Sequence, residues 1–223
     1  MTLAPDAVRS MFDRIAPVYD VMNRVMTAGL DLRWRRLAAE AAVRPGDRVL
    51  DAACGTGDLA LADLRAGAAR VTGLDFSARM LARARRKSAA VEWVQGDLLA
   101  LPFADGTFDA ATVGFGVRNV ADLELGLREL RRVLRPGGRL AILEITQPRG
   151  PLRPFFALWF DRVVPLLGRV LPGGSAYSYL PQSVKRFPPA EQLATLLGEC
   201  GFEGVSYRLL GWSIIAVHTG TAA

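Results

Sequence analysis

A glycine-rich turn bordered by carboxylates carries the densest chemical signal of the sequence. Residues 49–60 read VLDAACGTGDLA, with a strand-like stretch before Gly55 and a helix-like stretch after Gly57. The two glycines permit a tight turn whose bare backbone can approach a ligand closely. Loose dinucleotide-binding patterns contain similar glycines, so the glycines alone do not identify the ligand.

The acidic residues around this turn favour a cationic ligand over a diphosphate. Asp51 precedes the turn, and Asp58 lies in the first turn of the next helix, where a pyrophosphate would otherwise rest. Asp75 ends the second strand-like stretch, where its carboxylate can accept both hydroxyls of a ribose. Asp97 follows the third such stretch and suits an adenine amino group. A nucleoside with a cationic group and no phosphate fits these carboxylates, and S-adenosylmethionine is such a molecule.

Strand-like and helix-like segments alternate from residue 48 onward and would bring these carboxylates to one edge of a sheet. Ser77 and Asp122 are placed to cap two of the helices, and Pro136 is placed to stop the second of them. The predicted strands cover 48–51, 70–74, 91–95, 108–113 and 139–145. This spacing predicts one α/β domain with a parallel sheet and helices on both faces.

Two segments fall outside this alternation. Residues 1–42 predict an N-terminal helical segment, and residues 148–189, rich in Pro, Gly and aromatic residues, predict an insertion after the fifth strand. Such an insertion lies near the carboxyl ends of the strands, where open α/β sheets bind ligands. Its aromatic residues are therefore either ordinary core or a cap over an apolar ligand. Residues 43–147 are the predicted cofactor-binding core, and 190–223 a C-terminal helix and strands.

Composition narrows the class of protein. The 223 residues are 51% hydrophobic and 22% charged, which is typical of a globular chain and excludes intrinsic disorder. The net charge of +6 permits an anionic partner. Cys54, Cys200 and His218 are the only cysteines and histidine, so no disulfide framework and no metal site is expected. Without a signal peptide or an apolar run of about 18 residues, a cytoplasmic protein is expected.

The motifs together resemble the ubiquinone/menaquinone biosynthesis C-methyltransferase family (UbiE/MenG), which belongs to the class I S-adenosylmethionine-dependent methyltransferases. The glycine turn and the RVLRPGGR stretch occur in many methyltransferases, whereas FDRIAPVYD, FGVRN and YLPQS are narrower. The turn at 210–212 departs from the Thr-Gly-Gly-like turn of many members. The similar stretches are FDRIAPVYD at 12–20, DAACGTGDLA at 51–60, GLDFS at 73–77, FGVRN at 115–119, RVLRPGGR at 132–139 and YLPQS at 179–183.

The resemblance implies a Rossmann-like, seven-stranded, mostly parallel sheet whose last strand is antiparallel. It also implies transfer of the methyl group of S-adenosyl-L-methionine to a ring carbon of a prenylated hydroquinone. Demethylmenaquinol is the first choice, with another quinol or an aromatic or polyketide ring as the alternative. The residues expected at the cofactor are Asp51, Gly55, Thr56, Gly57, Asp75, Phe76, Asp97, Leu98 and Gly114.

A hydroquinone ring becomes nucleophilic when one of its hydroxyls loses a proton. We hypothesise that Arg118 and Asn119 bind that oxygen, because an arginine stays charged at any ordinary pH and stabilises an anion. Alternatively, Arg118 pairs with Asp122 and only braces the loop. His218 and Cys54 are attributed to packing. Tyr19, Tyr177 and Tyr179 are expected on the substrate or lid side.

The expected partners follow from the implied substrate. A prenylated quinol resides in the bilayer, so peripheral contact with the inner face of the cell membrane is expected. The basic clusters at 33–36, 83–87 and 128–135 are either ordinary solvated helix faces or a surface for anionic lipid. No nucleic-acid partner is expected, because 114–116 reads GFG where methyltransferases of exocyclic amines often carry an Asn/Asp-Pro-Pro-Tyr element.

Overall fold

A computed structural model describes residues 5–147 and 174–223, together with Leu158 and Arg162. Most of the insertion predicted at 148–189 therefore lies outside the described residues. In chain order the elements are α1 (Pro5–Ile15), α2 (Tyr19–Thr27), α3 (Leu30–Ala42), β1 (Arg48–Ala52), α4 (Asp58–Arg65), β2 (Arg70–Asp75), α5 (Ala78–Lys87), β3 (Glu92–Gln95), β4 (Phe108–Gly114), a 3-10 turn (Val117–Asn119), α6 (Leu123–Val133), β5 (Leu134–Ile145), α7 (Gly174–Arg186), α8 (Ala190–Glu199), β6 (Phe202–Leu210) and β7 (Ile215–Ala222).

The described strands form a seven-stranded sheet in the order β3-β2-β1-β4-β5-β7-β6. Strands β1 to β5 pair in parallel, whereas β7 lies antiparallel between β5 and β6. The predicted seven-stranded, mostly parallel sheet with an antiparallel last strand is therefore confirmed. The chain order reverses between β1 and β4, and open α/β sheets bind ligands outside the carboxyl ends of strands at such a switch point.

The two predicted helix caps are present. The Ser77 hydroxyl accepts a hydrogen bond from the Met80 amide at 3.1 Å, at the start of α5. The Asp122 carboxylate accepts from the Leu125 amide at 3.0 Å, at the start of α6. Each cap satisfies a backbone donor that the first helical turn would leave without a partner, which fixes where the helix begins.

The start of β5 differs from the sequence-based expectation. Helix α6 ends at Val133, and Leu134, expected as the last leucine of that helix, already pairs with β4. The pairing of β5 with β4 then shifts register and resumes at Arg139. Gly137 has φ +75 within this shift, a backbone conformation that glycine adopts readily. The Pro-Gly-Gly turn thus bulges out of a strand instead of separating a helix from a strand.

The sheet is buried on both faces because alternate residues of its central strands pack against different helices. Leu140 and Ile142 of β5 pack with the leucines of α6 and α8. Leu143 packs on the opposite face, with Trp34 of α3 and Leu59 of α4. Helix α1 lies against α5 and α7. Within the described residues, no helix combines the length and the apolar character needed to cross a bilayer.

Candidate active site

A first cavity lies at the carboxyl ends of β1, β2 and β4 and encloses about 970 Å³ of open space. Eight of the nine residues predicted to contact the cofactor line it: Asp51, Gly55, Thr56, Asp75, Phe76, Asp97, Leu98 and Gly114. Gly57 does not line it. A Cβ atom at Gly57 would come within 2.4 Å of the Trp93 ring, so this glycine lets the turn pack against β3. The local sequence motifs thus converge on one space although they lie on different strands.

The carboxylate of Asp75 is fixed by main-chain donors at the rim of this cavity. The Gly55 amide donates to its Oδ2 at 2.8 Å, and the Ser77 amide donates to its Oδ1 at 2.9 Å. Burial raises the pKa of Asp75 to about 6, although the two amide hydrogen bonds act in the opposite direction. The second lone pair of each oxygen leaves the carboxylate able to accept further hydrogen bonds.

Asp51 is fully buried in the wall of the first cavity. Neither of its carboxylate oxygens has a hydrogen-bond partner among the described residues. Burial and the nearby Asp63 carboxyl raise the pKa of Asp51 well above its ordinary value. The Ala60 amide and the Arg35 guanidinium lower the pKa of Asp51 by less than burial raises it. A buried carboxylate whose oxygens accept no hydrogen bond destabilises the folded chain, so this position favours a ligand that brings a positive charge.

Asp58, in contrast, does not offer a bare carboxylate to the cavity. Its Oδ2 lies 2.6 Å from Arg24 Nη2, and its Oδ1 lies 2.7 Å from Lys87 Nζ. Burial raises its pKa, but the hydrogen bonds and charges of Lys87 and Arg24 outweigh burial and lower the pKa below its ordinary value. Asp58 is therefore not the free charge that the sequence-based argument against a diphosphate assumed. Asp51 and Asp75 line the same cavity without an ion pair among the described residues.

Side chains of α2 fasten the N-terminal segment to the glycine turn. The Thr56 hydroxyl donates to Asp20 Oδ1 at 2.5 Å, and Lys87 Nζ lies 2.7 Å from Asp20 Oδ2. Together with the Arg24–Asp58 ion pair, these contacts form a cluster that we call the α2 latch (Asp20, Arg24, Thr56, Asp58, Lys87). The latch holds Tyr19 against the first cavity, within 4.0 Å of where a Cβ of Gly55 would stand.

A second, largely apolar cavity of about 860 Å³ adjoins the first. The two cavities share Phe12, Tyr19, Phe115 and Asn119. The apolar side chains that line only the second cavity are Met11, Ile15, Val18, Met22, Met26, Trp34, Ile145, Leu180 and Ile215. Of the predicted substrate-side tyrosines, Tyr19 and Tyr179 line this cavity. The side chain of Tyr177 lies outside the described part of the chain.

Asn119 lines both cavities, and Arg118, its neighbour in the chain, lines the second cavity beside this junction. Arg118 Nη1 is 2.6 Å from Glu144 Oε1 and donates to the Phe115 carbonyl at 2.7 Å. Arg118 thus pairs with Glu144 and not with Asp122, so the alternative partner suggested by the sequence is wrong. Both residues keep a spare polar atom, because Arg118 Nε and Asn119 Oδ1 are buried without a hydrogen-bond partner among the described residues.

Arg35 belongs to the site, although the sequence placed it in a basic cluster on a solvated helix face. Its side chain is buried, lines the first cavity and pairs with Asp31 at 2.9 Å. Its guanidinium lies 5.0 Å from the centre of the Phe115 ring, a cation–π distance. The sequence held one weak signal that Arg35 is buried. Arg35 directly follows Trp34, an aromatic residue on the buried side of α3.

His218 and Cys54 are placed as packing residues. His218 Nε2 lies 2.8 Å from the Ala190 carbonyl oxygen, and burial lowers the pKa of the imidazole. His218 lines neither cavity. Cys54 lines the first cavity, but burial raises the pKa of its thiol well above the ordinary value, so the thiolate needed for nucleophilic chemistry is disfavoured.

Comparison with known proteins agrees with this geometry. The model of the ubiE/COQ5 methyltransferase family matches residues 1–222. A demethylmenaquinone methyltransferase of Thermus thermophilus is 49% identical over 218 residues, which cover 94% of this chain and 99% of that protein. A 2-phytyl-1,4-naphtoquinone methyltransferase of Synechococcus elongatus is 42% identical over 225 residues, covering 96% and 97% of the two chains.

Solved structures share the fold at low sequence identity. The [4+2]-cyclase SpnF has a TM-score of 0.72 at 22% identity, with 96% of this chain and 94% of that chain covered. A SAM-dependent methyltransferase from Thermotoga maritima has a TM-score of 0.66 at 22% identity, with 97% and 100% covered. The chain is thus an S-adenosylmethionine-dependent methyltransferase of class I fold, and it belongs to the ubiE/COQ5 methyltransferase family.

Proposed function

We propose that the protein transfers the methyl group of S-adenosylmethionine to a ring carbon of demethylmenaquinol and so forms menaquinol. The observation that carries this proposal is the pair of adjoining cavities with different chemistry. One contains an unpartnered buried carboxylate that suits a cation, and the other is apolar, with Arg118 and Asn119 at the junction. Several similar proteins, the one from Thermus thermophilus among them, are demethylmenaquinone methyltransferases.

When bound, S-adenosylmethionine supplies an electrophilic methyl group. The unpartnered carboxylate of Asp51 fits the positive charge of this molecule, and Asp75 fits its ribose hydroxyls. Gly114 leaves room beside them, since a Cβ there would stand 3.0 Å from Leu59. We assign the adenine side of the cavity to Asp97 and Leu98. Phe76, Gly55 and Thr56 complete the proposed cofactor wall.

Arg118 and Asn119 act on the ring oxygen in this proposal. Glu144 and the Phe115 carbonyl hold the Arg118 guanidinium at the cavity junction, so its positive charge is fixed before substrate enters. This charge stabilises the oxyanion formed when the hydroxyl proton passes to solvent, which makes the neighbouring ring carbon nucleophilic. The ring carbon then takes the methyl group as S-adenosylhomocysteine leaves, and loss of the ring C–H proton to solvent restores the aromatic hydroquinone. Asn119 Oδ1, which has no partner among the described residues, can accept the hydrogen bond of the hydroxyl while it is protonated.

Residues 1–42 act as a lid over the cofactor in this proposal, and residues 148–189, with Tyr177 and Tyr179, as a substrate cap. The α2 latch supports the lid, because it joins Asp20 and Arg24 to the glycine turn and to α5. In-line methyl transfer needs the reacting atoms about 3–3.5 Å apart, and a closed lid excludes water from that geometry.

The protein works at the cytoplasmic face of the membrane in this proposal, because the prenyl tail of its substrate is held in the bilayer. The basic clusters singled out in the sequence contribute less than their charge indicates. Lys87 is engaged in the α2 latch, and Arg132 is paired with Glu129 and Asp105.

A phytylated naphthoquinol is the second candidate substrate, favoured by the 42% identity to the Synechococcus elongatus protein. Quinone profiling of a deletion strain tests the proposal, and we expect demethylmenaquinone to accumulate. Purified protein should also methylate a demethylnaphthoquinol with a short tail in the presence of S-adenosylmethionine. A strain with unchanged quinones, together with no methylated naphthoquinol in the purified reaction, would overturn the proposed function.

A further inference from the structure

Helix α2 and the start of α3 expose apolar residues to solvent. Within residues 18–32, every exposed residue is apolar. Val21 and Val25 are each 63% exposed, and Leu30 and Leu32 are 45% and 46% exposed. We call these residues, with the exposed Ala28, the outer strip. A helix at a protein surface ordinarily shows polar residues there, so this strip is inverted relative to the usual pattern.

The polar residues of the same stretch point into the protein. Asp20 and Arg24 belong to the α2 latch. Thr27 Oγ1 donates to the Asn23 carbonyl at 2.7 Å and lies 3.1 Å from Oδ1 of the buried Asp31. Specific contacts therefore hold the polar side chains of this stretch on the inner side of the helices. The apolar side chains are left facing the solvent.

The outer strip lies about a quarter of a helical turn away from the side chains of α2 that line the second cavity. Met22 and Met26 line that cavity, and each directly follows one of the two exposed valines. A helix is about 10 Å wide, so α2 is a wall one helix thick between the cavity and the outside. An apolar medium against this wall would lie close to the space proposed for the quinol.

Cationic and aromatic residues border the strip. Arg33 directly follows Leu32, Arg36 lies one helical turn after Leu32, and both are exposed. The Arg36–Glu40 contact of 3.6 Å is an exposed pair of small energetic effect. Trp212 is 84% exposed, and its neighbour Gly211 packs so closely on Trp34 that a Cβ there would lie 3.0 Å from the indole. Tryptophan and arginine are both favoured at the boundary between lipid headgroups and acyl chains.

We propose that the outer strip, flanked by Arg33, Arg36 and Trp212, is a docking surface for an anionic lipid membrane. The valines and leucines contact the acyl boundary and the arginines contact anionic headgroups. A lipid surface fits better than a second copy of the chain, because apolar residues lie directly beside cations and the wall behind them lines an apolar cavity. This inference rests on the proposed function, since it gives the prenylated substrate a short path from the bilayer.

Vesicle flotation of the full chain tests the surface. The variant V21E/V25E places two carboxylates on the outer strip, and L125E/Q192E adds the same charge at exposed positions of α6 and α8 as a matched control. We expect at least about tenfold weaker partition of V21E/V25E onto vesicles of phosphatidylglycerol and phosphatidylcholine, given the apolar area of two valines. The control should partition within twofold of the unmodified protein. R33Q/R36Q should lose the preference for the anionic lipid.

Turnover separates docking from chemistry. With long-tailed demethylmenaquinol in vesicles, V21E/V25E should lose activity in parallel with its partition. With a tail-free naphthoquinol in solution, its activity should stay within twofold, which also shows that the variant is folded. If no protein methylates the tail-free compound, the proposed function fails while flotation still reports on docking. Equal partition of V21E/V25E and the control onto vesicles would overturn the docking surface. A dimer of the unmodified protein that dissociates in V21E/V25E and not in the control would also overturn it, because the outer strip would then be a contact between two copies of the chain.

Discussion

The two cavities are built by different means. Main-chain conformation shapes the first: Ala53 and Gly55 have φ of 53° and 55°, and backbone amides orient Asp75. Side chains shape the second, with Met22 and Met26 of α2 facing Trp34 of α3. A site made of backbone donors presents charge in a fixed geometry, whereas methionine side chains adapt to an irregular apolar molecule. In the proposed function, a cavity of fixed geometry for the cofactor thus adjoins an adaptable cavity for the substrate.

The junction of the cavities is where a change should have the largest effect on turnover. The double variant R118M/E144Q removes the guanidinium without leaving Glu144 buried and unpaired. We expect kcat to fall by about 10²- to 10³-fold, the usual effect of losing one donor to a developing oxyanion. Affinity for S-adenosylhomocysteine should stay within twofold, because Arg118 does not line the first cavity.

The matched control for this prediction is E144Q alone, which keeps the positive charge of Arg118. Single-turnover rates with a short-tailed demethylnaphthoquinol and calorimetry with S-adenosylhomocysteine measure the two effects separately. Unchanged turnover in R118M/E144Q would show that Arg118 only braces the loop after β4.

A comparison of two aspartates separates a ligand-binding carboxylate from a structural one. In D51N we expect about 30- to 150-fold weaker binding of S-adenosylhomocysteine, the loss of a charge-assisted contact of about 2–3 kcal/mol. The melting temperature of the protein without ligand should not fall, because Asp51 has no partner among the described residues. D58N should do the reverse, with a lower melting temperature, since Arg24 and Lys87 lose their shared partner.

Calorimetry and thermal unfolding of both variants check this contrast. A D51N protein that binds S-adenosylhomocysteine as tightly as the unmodified chain would remove Asp51 from the cofactor site.

The parts of the site that could be predicted from sequence depend on local chemistry. The glycine turn, the carboxylates at the strand ends and the caps at Ser77 and Asp122 each follow from residues a few positions apart. Because the carboxyl ends of parallel strands meet at one edge, these local motifs also had to lie close together. The parallel part of the sheet could be predicted from the strand–helix alternation, without knowledge of side-chain contacts. The number of seven strands and the antiparallel last strand were implied only by the family resemblance.

The parts that could not be predicted depend on contacts between distant residues. Asp58 appeared to carry a free charge because its partners, Arg24 and Lys87, lie on other helices. Arg35 is buried by Phe115, which follows β4. The second cavity draws on α1, α2, α3, α7 and β7, and no motif joins these segments.

The two glycines of the turn test how far main-chain shape defines the first cavity. Gly55 has φ +55 and no atom closer than 4.0 Å to a built Cβ, whereas Gly57 has φ +86 and the Trp93 ring at 2.4 Å. We expect G55A to lower the free energy of unfolding by about 1 kcal/mol, from backbone strain alone. G57A should lower it by about 2 kcal/mol more, because the ring must also move. Denaturant unfolding measures both, and W93L should restore part of the loss in G57A but none in G55A.

The pH dependence of binding contrasts the two cavities directly. Burial raises the pKa of Asp75 to about 6, so only about a tenth of this carboxylate is ionised at pH 5. The raised pKa of Asp51 acts in the same direction, whereas the lowered pKa of Asp58 keeps the α2 latch charged.

Affinity for S-adenosylhomocysteine should therefore fall by about tenfold or more from pH 8 to pH 5. Binding of a short-tailed naphthoquinone should change little, because the lining of the second cavity is mainly apolar. Calorimetry across this pH range measures the affinity for each ligand. An equal pH dependence for both would contradict the assignment of charge recognition to the first cavity and of shape recognition to the second.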